Sequence, residues 1–423
     1  MRAQPSRVPT QISGVINRYE YVAEITPCDS TVHVAGATQF RVGDEVLMIQ
    51  MQGARISEAD DSTYGTILDM NGAGCAEFLT IGAVNGNRIT FTSTWVHPYA
   101  PSGVIQLVSV PRYADAIVNG TVTAPPFNGT VGGVVVLRTN GVLTLQGNID
   151  VSGAGFRGGA PSIPRDVCTP RKWVSNYFFG EGGEKGDGIA LVSTNDVLAC
   201  RGPRGTGGGG GNGGNGGGAG GGNGGAGGYG GDANDRCAIF QRQGGYPGHA
   251  VDSLLLKQRV FLGGGGGGGH QNNIQGTRGG GGGGIVVIKA GTIAAVGGSI
   301  ISDGETVRDT VAWDGSFMQP GDGAGGGGAG GSVLLDVGAI AGTLDVRARG
   351  GNGGIVGARY QPNGPGGGGG GGAVILATSV RPNLRVDVSG GVPGYHISPE
   401  TADTVRGSPW GATAGAPGAV IEG

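Results

Sequence analysis

The sequence predicts an all-β protein, and three observations carry that prediction. Glycine supplies 99 of the 423 residues, roughly three times its usual share of about 7%, and much of it lies in unbroken runs. Short β-branched segments follow these runs in an aligned repeat. The first hundred or so residues have ordinary glycine content and read as strands and turns. We therefore predict a β-barrel or sandwich, followed by a stacked, solenoid-like or sandwich-like strand repeat with a polyglycine II-type helix bundle.

The N-terminal part is predicted to be a compact barrel or sandwich. Its apolar segments alternate with turn signals such as Asn85-Gly86, and about a hundred residues suffice to bury a core. The predicted organisation is an N-terminal arm at 1–20, a barrel or sandwich at 21–127, a glycine-rich repeat and bundle at 128–417, and an orphan strand at 418–423.

A repeat of paired strands organises the rest of the chain. Each copy begins with glycine and an apolar β-branched segment, and a second short segment follows. A single pair cannot bury its own apolar face, so the copies should stack into one continuous sheet. The copies begin at 133–137, 284–288, 331–335 and 372–376. We expect Val135, Val286, Leu334 and Ile375 to occupy equivalent positions that face one shared core.

The glycine runs allow two interpretations. A flexible coil is one, because glycine loses more backbone entropy on ordering than other residues. The other is an extended threefold helix with about 3 residues per turn and about 3.1 Å rise, which neighbours can hydrogen-bond wherever no Cβ intervenes. Collagen is disfavoured because proline is nearly absent from the runs. The predicted bundle core comprises Gly263, Gly266, Gly269, Gly279, Gly284, Gly366, Gly369 and Gly372.

The longest run also shows a threefold pattern. Side chains recur every third residue at Asn223, Ala226, Tyr229 and Asp232. This spacing predicts a threefold helix with side chains along one edge and only glycine along the other two. As one continuous helix, residues 202–231 would span on the order of 90 Å at about 3.1 Å per residue.

Two segments that are not merely glycine carry a family resemblance. Residues 40–54, FRVGDEVLMIQMQGA, and residues 148–159, NIDVSGAGFRGG, resemble the opening domain of very large Bacteroidetes-type cell-surface proteins. Many of those proteins carry a gliding-motility-associated C-terminal domain. The resemblance implies secretion and an adhesive or structural role at the cell surface.

Composition argues against several partner classes. Charged residues make up 14% of the chain and the net charge is −3, so no basic field attracts nucleic acid. No apolar run approaches the 18 or so residues of a membrane span. The histidines show no metal-ligand spacing. His270 follows a glycine run and could bind a ligand at a bundle end, but we expect it to cap the run or to pack beside other runs. We predict an extracellular or cell-surface protein with no cofactor and no metal, which is not an enzyme.

Five cysteines fit an oxidising compartment. Cys28 and Cys75 could pair within the first domain, while Cys168, Cys200 and Cys237 leave one thiol over. Connectivity does not follow from spacing alone.

Two functions remain open from the sequence. The first is a self-assembling extracellular filament whose subunits join by strand addition and are stiffened by polyglycine helices. The alternative is a cell-surface or phage-type adhesin module that binds a glycan or protein receptor. The terminal segments predicted to join subunits contain Ile12, Val15, Ile16, Ala419, Val420 and Ile421.

Overall fold

The structure is a computed structural model. It describes residues 8–36, 39–100, 102–168, 172–191, 197–233, 243–308, 312–313, 316–317, 321–357, 362–377, 383–397 and 406–422.

The first part of the chain is a closed six-stranded barrel, which decides between the two architectures expected there. Its strands are β2 (Tyr19–Thr26), β3 (Thr31–Val34), β4 (Glu45–Gln52), β7 (Ala76–Asn85), β8 (Arg88–Phe91) and β9 (Val104–Ser109). They pair antiparallel in the order β2-β3-β8-β7-β4-β9. Val32, Met48 and Leu107 are fully buried inside the barrel. A small hairpin of β5 (Arg55–Ile56) and β6 (Ile67–Asp69) is inserted between barrel strands.

A twelve-stranded parallel sheet follows, which confirms the predicted stacked repeat. Its strands are β1 (Thr10–Val15), β10 (Arg112–Tyr113), β11 (Ala116–Thr123), β12 (Val134–Leu145), β13 (Ile149–Asp150), β14 (Ile285–Ala295), β15 (Ile300–Ile301), β18 (Ser332–Ala341), β19 (Leu344–Arg347), β20 (Ala373–Leu376), β21 (Leu384–Asp387) and β22 (Ala419–Glu422). Each repeat contributes its first strand to one arm of the sheet, β12-β14-β18-β20-β22, and its second strand to the other, β13-β15-β19-β21. The two arms meet at β11.

Little other regular structure is present in the described residues. It comprises the short helix α1 (Ser253–Leu256), two 3₁₀ turns (Pro27–Asp29 and Tyr177–Phe179) and a hairpin of β16 (Ala312–Trp313) and β17 (Ser316–Phe317).

The strand register corrects the predicted repeat core. Val135 pairs with Val286, and the in-register partners continue to Val333 and Val374 rather than to Leu334 and Ile375. Leu334 and Ile375 pack on the opposite face of the sheet, toward the barrel. The side-chain period of a strand is two, so an offset of one residue places a side chain on the other face.

The barrel packs against the face of the sheet that carries Leu334 and Ile375, which we call the outer face. Leu47 and Val108 from the barrel share a core with Val136 and Val287 from the sheet. The inner face of the sheet has a separate core, to which both arms contribute. The boundary predicted at residue 127 is corrected by these pairings: the barrel strands end at Ser109, and β10 and β11 belong to the sheet. The predicted N-terminal arm also belongs to it, because β1 pairs with β11.

Beyond the sheet, the glycine-rich segments hydrogen-bond to one another with a period of three. Gly263 and Gly266 donate to the carbonyls of Gly283 and Gly280, whereas Gly264 and Gly267 donate to those of Gly222 and Ala219. The neighbours bonded by residues 263–270 lie at 156–162, 184–187, 208–211, 216–222, 277–283 and 323–329. A threefold period is what the polyglycine II interpretation requires; the helix geometry itself stays a prediction.

The longest glycine run is folded back on itself, which corrects the single rod of about 90 Å expected at about 3.1 Å per residue. The chain turns back at residues 213–215 and again around 223–225, because the order of its successive hydrogen-bond partners reverses at these places. Asn212 and Asn223 are buried at these reversals, whereas Tyr229 is exposed. The threefold side-chain pattern therefore describes an outward edge only beyond the second reversal.

Candidate ligand-binding site

The most distinctive side-chain cluster lies on the surface of the glycine-rich bundle, around Arg201, Tyr229 and Tyr246. These residues line a cavity of about 250 Å³, which we call the aromatic pocket. Its remaining lining residues are Gly230, Asp232, Gly244, Gly411 and Thr413. Apart from the glycines, the lining is aromatic or capable of hydrogen bonding.

Backbone hydrogen bonds between glycine-rich segments set the positions of the lining side chains. The amide of Tyr246 donates to the carbonyl of Arg201 at 2.7 Å. The amide of Tyr229 donates to Oγ1 of Thr413 at 2.8 Å, and the amide of Thr413 donates back to the carbonyl of Tyr229 at 3.0 Å. The pocket is thus assembled from four separate parts of the chain, which these hydrogen bonds join in two pairs.

The guanidinium of Arg201 packs against two neighbouring aromatic rings in the inner part of this site. The guanidinium carbon of Arg201 lies 4.6 Å from the ring centroid of Tyr246 and 5.0 Å from that of Trp173. The Trp173 and Tyr246 centroids are 4.3 Å apart, and Tyr229 continues the cluster at 5.1 Å from Tyr246. Stacking of a guanidinium on aromatic faces is favourable and is strengthened by desolvation.

Exposure increases from the inner to the outer part of the cluster. Arg201 is 2% exposed and Trp173 is 8% exposed, whereas Tyr229 is 41% exposed. The inner pair is therefore held by packing, while Tyr229 presents its ring to solvent. A fixed charged group behind an accessible ring is an arrangement suited to a ligand with both an apolar face and polar substituents.

Histidine 270 occupies the end of a glycine run, as expected. It is fully buried, and its Nδ1 lies 3.2 Å from both the backbone nitrogen and Oδ1 of Asn215. Burial lowers the pKa of His270 to about 4. Among the described residues, no cluster of acidic, histidine or cysteine side chains has the arrangement of a metal site.

The structure does not form the disulfide considered for the first domain. Cys28 is exposed, Cys75 is buried, and both are free thiols. Cys168 is disulfide-bonded and Cys200 is free. Cys237 lies outside the described residues.

The predicted assembly residues lie in β1 and β22 or beside β1. Ile12 is buried in the inner core of its own chain, and Ile16 packs against that core, while Val15 is 54% exposed. In β22, Ala419 and Ile421 pack toward the barrel side, and Val420 is 44% exposed. Part of each predicted contact surface is thus already used within the chain.

The sequence indicates only a small part of the aromatic pocket. Tyr229 stood out through its spacing, but nothing in the sequence connects it with Trp173, Arg201 or Tyr246. The available signal was the rarity of aromatic and basic residues among the glycines.

Comparisons with known proteins identify no family. No family model and no curated protein matches the chain. Two solved structures are similar at low identity. One is the Gp54 tailspike of Acinetobacter baumannii bacteriophage AP22 in complex with A. baumannii capsular saccharide, with 10% identity and a TM-score of 0.17. The other is the tailspike protein gp49 from Pseudomonas phage LKA1, with 12% identity and a TM-score of 0.17.

These matches cover 90% and 92% of this chain but only 57% and 63% of the two tailspikes. This similarity to tailspikes contradicts the prediction that the chain is not an enzyme, and that prediction is withdrawn. None of the helices in the described part of the chain is long and apolar enough to span a membrane.

Proposed function

We propose that the chain is an extracellular or cell-surface adhesin module that binds a glycan in the aromatic pocket. The observation that carries this proposal is the combination of an exposed ring at Tyr229 with the stacked guanidinium of Arg201 in one cavity. A sugar ring presents C–H groups on its faces and hydroxyls at its edge. Aromatic rings pack against the former, and charged or hydroxyl side chains bond the latter.

The pocket has the means to fix a sugar in one orientation. Arg201 donates hydrogen bonds only, Asp232 accepts them when ionised, and Thr413 does both. All three line the cavity with the two tyrosines. A cavity of about 250 Å³ accommodates one or two sugar units rather than a long chain. The pocket would therefore bind the terminal sugar or a short branch of a glycan.

A direct test is to screen the purified chain on a printed array of bacterial and animal oligosaccharides and to titrate the strongest binder calorimetrically. Replacing Tyr229 with alanine should weaken binding by about tenfold or more, as for a buried aromatic anchor. Tyr395→Ala is the matched control, because Tyr395 is 43% exposed, close to the 41% of Tyr229, and lies outside the pocket. Equal affinities of the two variants would overturn the pocket as the glycan site.

A second variant separates the pocket from the exposed 3₁₀ turn Tyr177–Phe179 as the binding site. Phe178 is 65% exposed on the 3₁₀ turn and does not line the pocket. If Phe178→Ala abolishes binding and Tyr229→Ala does not, the receptor is recognised at this turn and the pocket assignment fails. An array without any binder would contradict the glycan proposal.

A filament remains a second candidate, and the ends of the parallel sheet favour it. One arm ends at β22, which pairs only with β20, and the other ends at β21, which pairs only with β19; where the arms meet, β1 pairs only with β11. Each end strand therefore leaves one edge unpaired within the described part of the chain. Unpaired edges invite addition of another strand, and a second copy of this chain would supply one.

A further inference from the structure

A buried lysine lies directly behind the aromatic pocket. Lys185 is 1% exposed, and lysine is almost never fully buried unless its charge is satisfied. Its Nζ donates to the carbonyl oxygens of Trp173 at 2.5 Å, Gly202 at 2.7 Å and Cys200 at 3.1 Å. The three donors of an ammonium thus meet three backbone acceptors.

The three acceptors are not scattered along the chain. Cys200 and Gly202 are the two neighbours of Arg201, and Trp173 provides one of the two rings that the Arg201 guanidinium contacts. Nζ also lies 4.4 Å from the ring centroid of Tyr64, so a fourth contact anchors it to the segment between β5 and β6. The lysine therefore links Trp173 and the backbone on either side of Arg201 with the segment inserted between the barrel strands.

The backbone beside Arg201 needs such support. Cys200 has a φ of 77°, a left-handed conformation that is unfavourable for a residue with a Cβ. Strained residues of this kind persist where surrounding contacts over-determine them. The amide of Cys200 donates to Gly183 at 3.0 Å, and its carbonyl accepts from Lys185 and from the amide of Gly210.

We propose that Lys185 is the positioning residue of the aromatic pocket: its ammonium holds the backbone at Trp173 and on both sides of Arg201, and so fixes the stacked guanidinium that faces the ligand. The inference deepens the proposed function, on which its role in binding rests. It assigns no ligand contact to Lys185, which acts only through Trp173 and Arg201.

We call the three hydrogen bonds from Lys185 Nζ the clamp, and the protonation state of Lys185 should determine whether all three can form. An ammonium has three N–H donors, whereas the neutral amine has two, so deprotonation leaves one of the three carbonyls without its bond. Burial lowers the pKa of Lys185 to about 7. The groups that act on it electrostatically are Cys200, Arg204 and Asp60, and Tyr64 faces it. Burial raises the pKa of both Cys200 and Tyr64 to about 12, so neither loses its proton near neutrality.

The test measures Trp173 directly and needs no ligand. Acrylamide quenching of tryptophan fluorescence is recorded between pH 6 and pH 8 for the full chain, and the signal of a Trp173→Phe variant is subtracted. We expect Trp173 to become more accessible as the pH rises through about 7, because one clamp bond is lost. Lys185→Met should abolish this pH dependence, whereas Lys257→Met, at an exposed lysine, should retain it.

Each result decides the proposal. A Trp173 signal that does not change with pH in the unmodified chain overturns the clamp, even if Lys185→Met fails to fold. A pH dependence that persists in a folded Lys185→Met variant overturns it as well. If an array identifies a glycan, Lys185→Met should weaken its binding by about tenfold, the effect of leaving buried carbonyls unpaired. If no glycan on the array binds, the proposed function is contradicted. The fluorescence result then tests the clamp on its own.

Discussion

Individual glycines in the bundle are required because neighbouring backbones occupy the space that a side chain would need. A Cβ built on Gly266 would lie closer than 3.0 Å to backbone atoms of Gly326 and Gly327. Each of the eight glycines predicted to form the bundle core would likewise meet another backbone at less than 3.0 Å. Real Cβ atoms essentially never approach other heavy atoms so closely, so the sequence has little choice at these positions.

Substitution of Gly266 by alanine should therefore destabilise the chain by about 1–3 kcal/mol, the usual cost of overpacking a rigid interior. The neighbours are backbone atoms bonded on other sides, so they cannot move aside cheaply. Gly36→Ala is the matched control, because a Cβ there would meet only Oε2 of Glu20, at 3.6 Å. Thermal unfolding of both variants checks this, and equal midpoints would mean that the glycine segments are loosely packed.

The aromatic pocket shows where residue-level prediction from the sequence stops. Period and composition reveal which positions tolerate side chains, as they did for Tyr229. They do not reveal that Arg201 packs against both Trp173 and Tyr246, because these contacts depend on how three segments pack. The role of Lys185 is equally hidden, since a lysine among glycines reads as a solvent-exposed residue until its burial is known.

At the scale of elements, the parallel strands align valines in a column across the sheet. Val135, Val286, Val333, Val374 and Val420 are consecutive in-register partners. The first four are fully buried in the inner core, whereas Val420 is 44% exposed. The same side chain in the same register thus experiences very different burial.

This column yields a matched series of substitutions. Alanine at Val286 or Val333 should cost about 1–4 kcal/mol through lost burial and the cavity left behind. Alanine at Val420 should cost much less, because nearly half of that side chain stays in water. Denaturant unfolding of the three variants provides the measurement. Similar losses at all three positions would show that burial in the inner core does not determine the cost.

The sequence predicted the positions of the strands better than it predicted which side chains of each strand face which core. Glycine followed by a β-branched segment located β12, β14, β18 and β20, because a strand needs that composition wherever it is buried. The choice of Leu334 and Ile375 failed because both faces of these strands are apolar, so the usual alternation that marks the inward face is weak. The reversals within the longest glycine run were missed because glycine permits both an extended segment and a turn.

The whole molecule is organised by a sheet that has one core on each face. The barrel covers the outer face of the long strands, and both arms enclose the inner core. Within the described residues, the fold leaves one edge unpaired at β22 and β21, where the two arms end, and at β1, which pairs only with β11 where the arms meet. The edge at β1 and the edges at β21 and β22 thus belong to different strands. Addition of one chain's end to the next would be heterologous, and such contacts build open filaments unless the rotation closes a ring.

Proline at Val420 tests filament growth selectively because neighbouring residues of a strand direct their N–H groups to opposite edges. The amide of Ala419 donates to Gly372 on the β20 side, so the amide of Val420 faces the open edge. Val420→Pro removes that donor and should leave a folded monomer that cannot elongate. Val420→Ala, which keeps the donor, should still elongate. Electron microscopy and light scattering check both variants. Normal filaments from Val420→Pro would contradict growth through β22, and an unmodified chain that stays monomeric at high concentration would contradict the filament and leave the adhesin module.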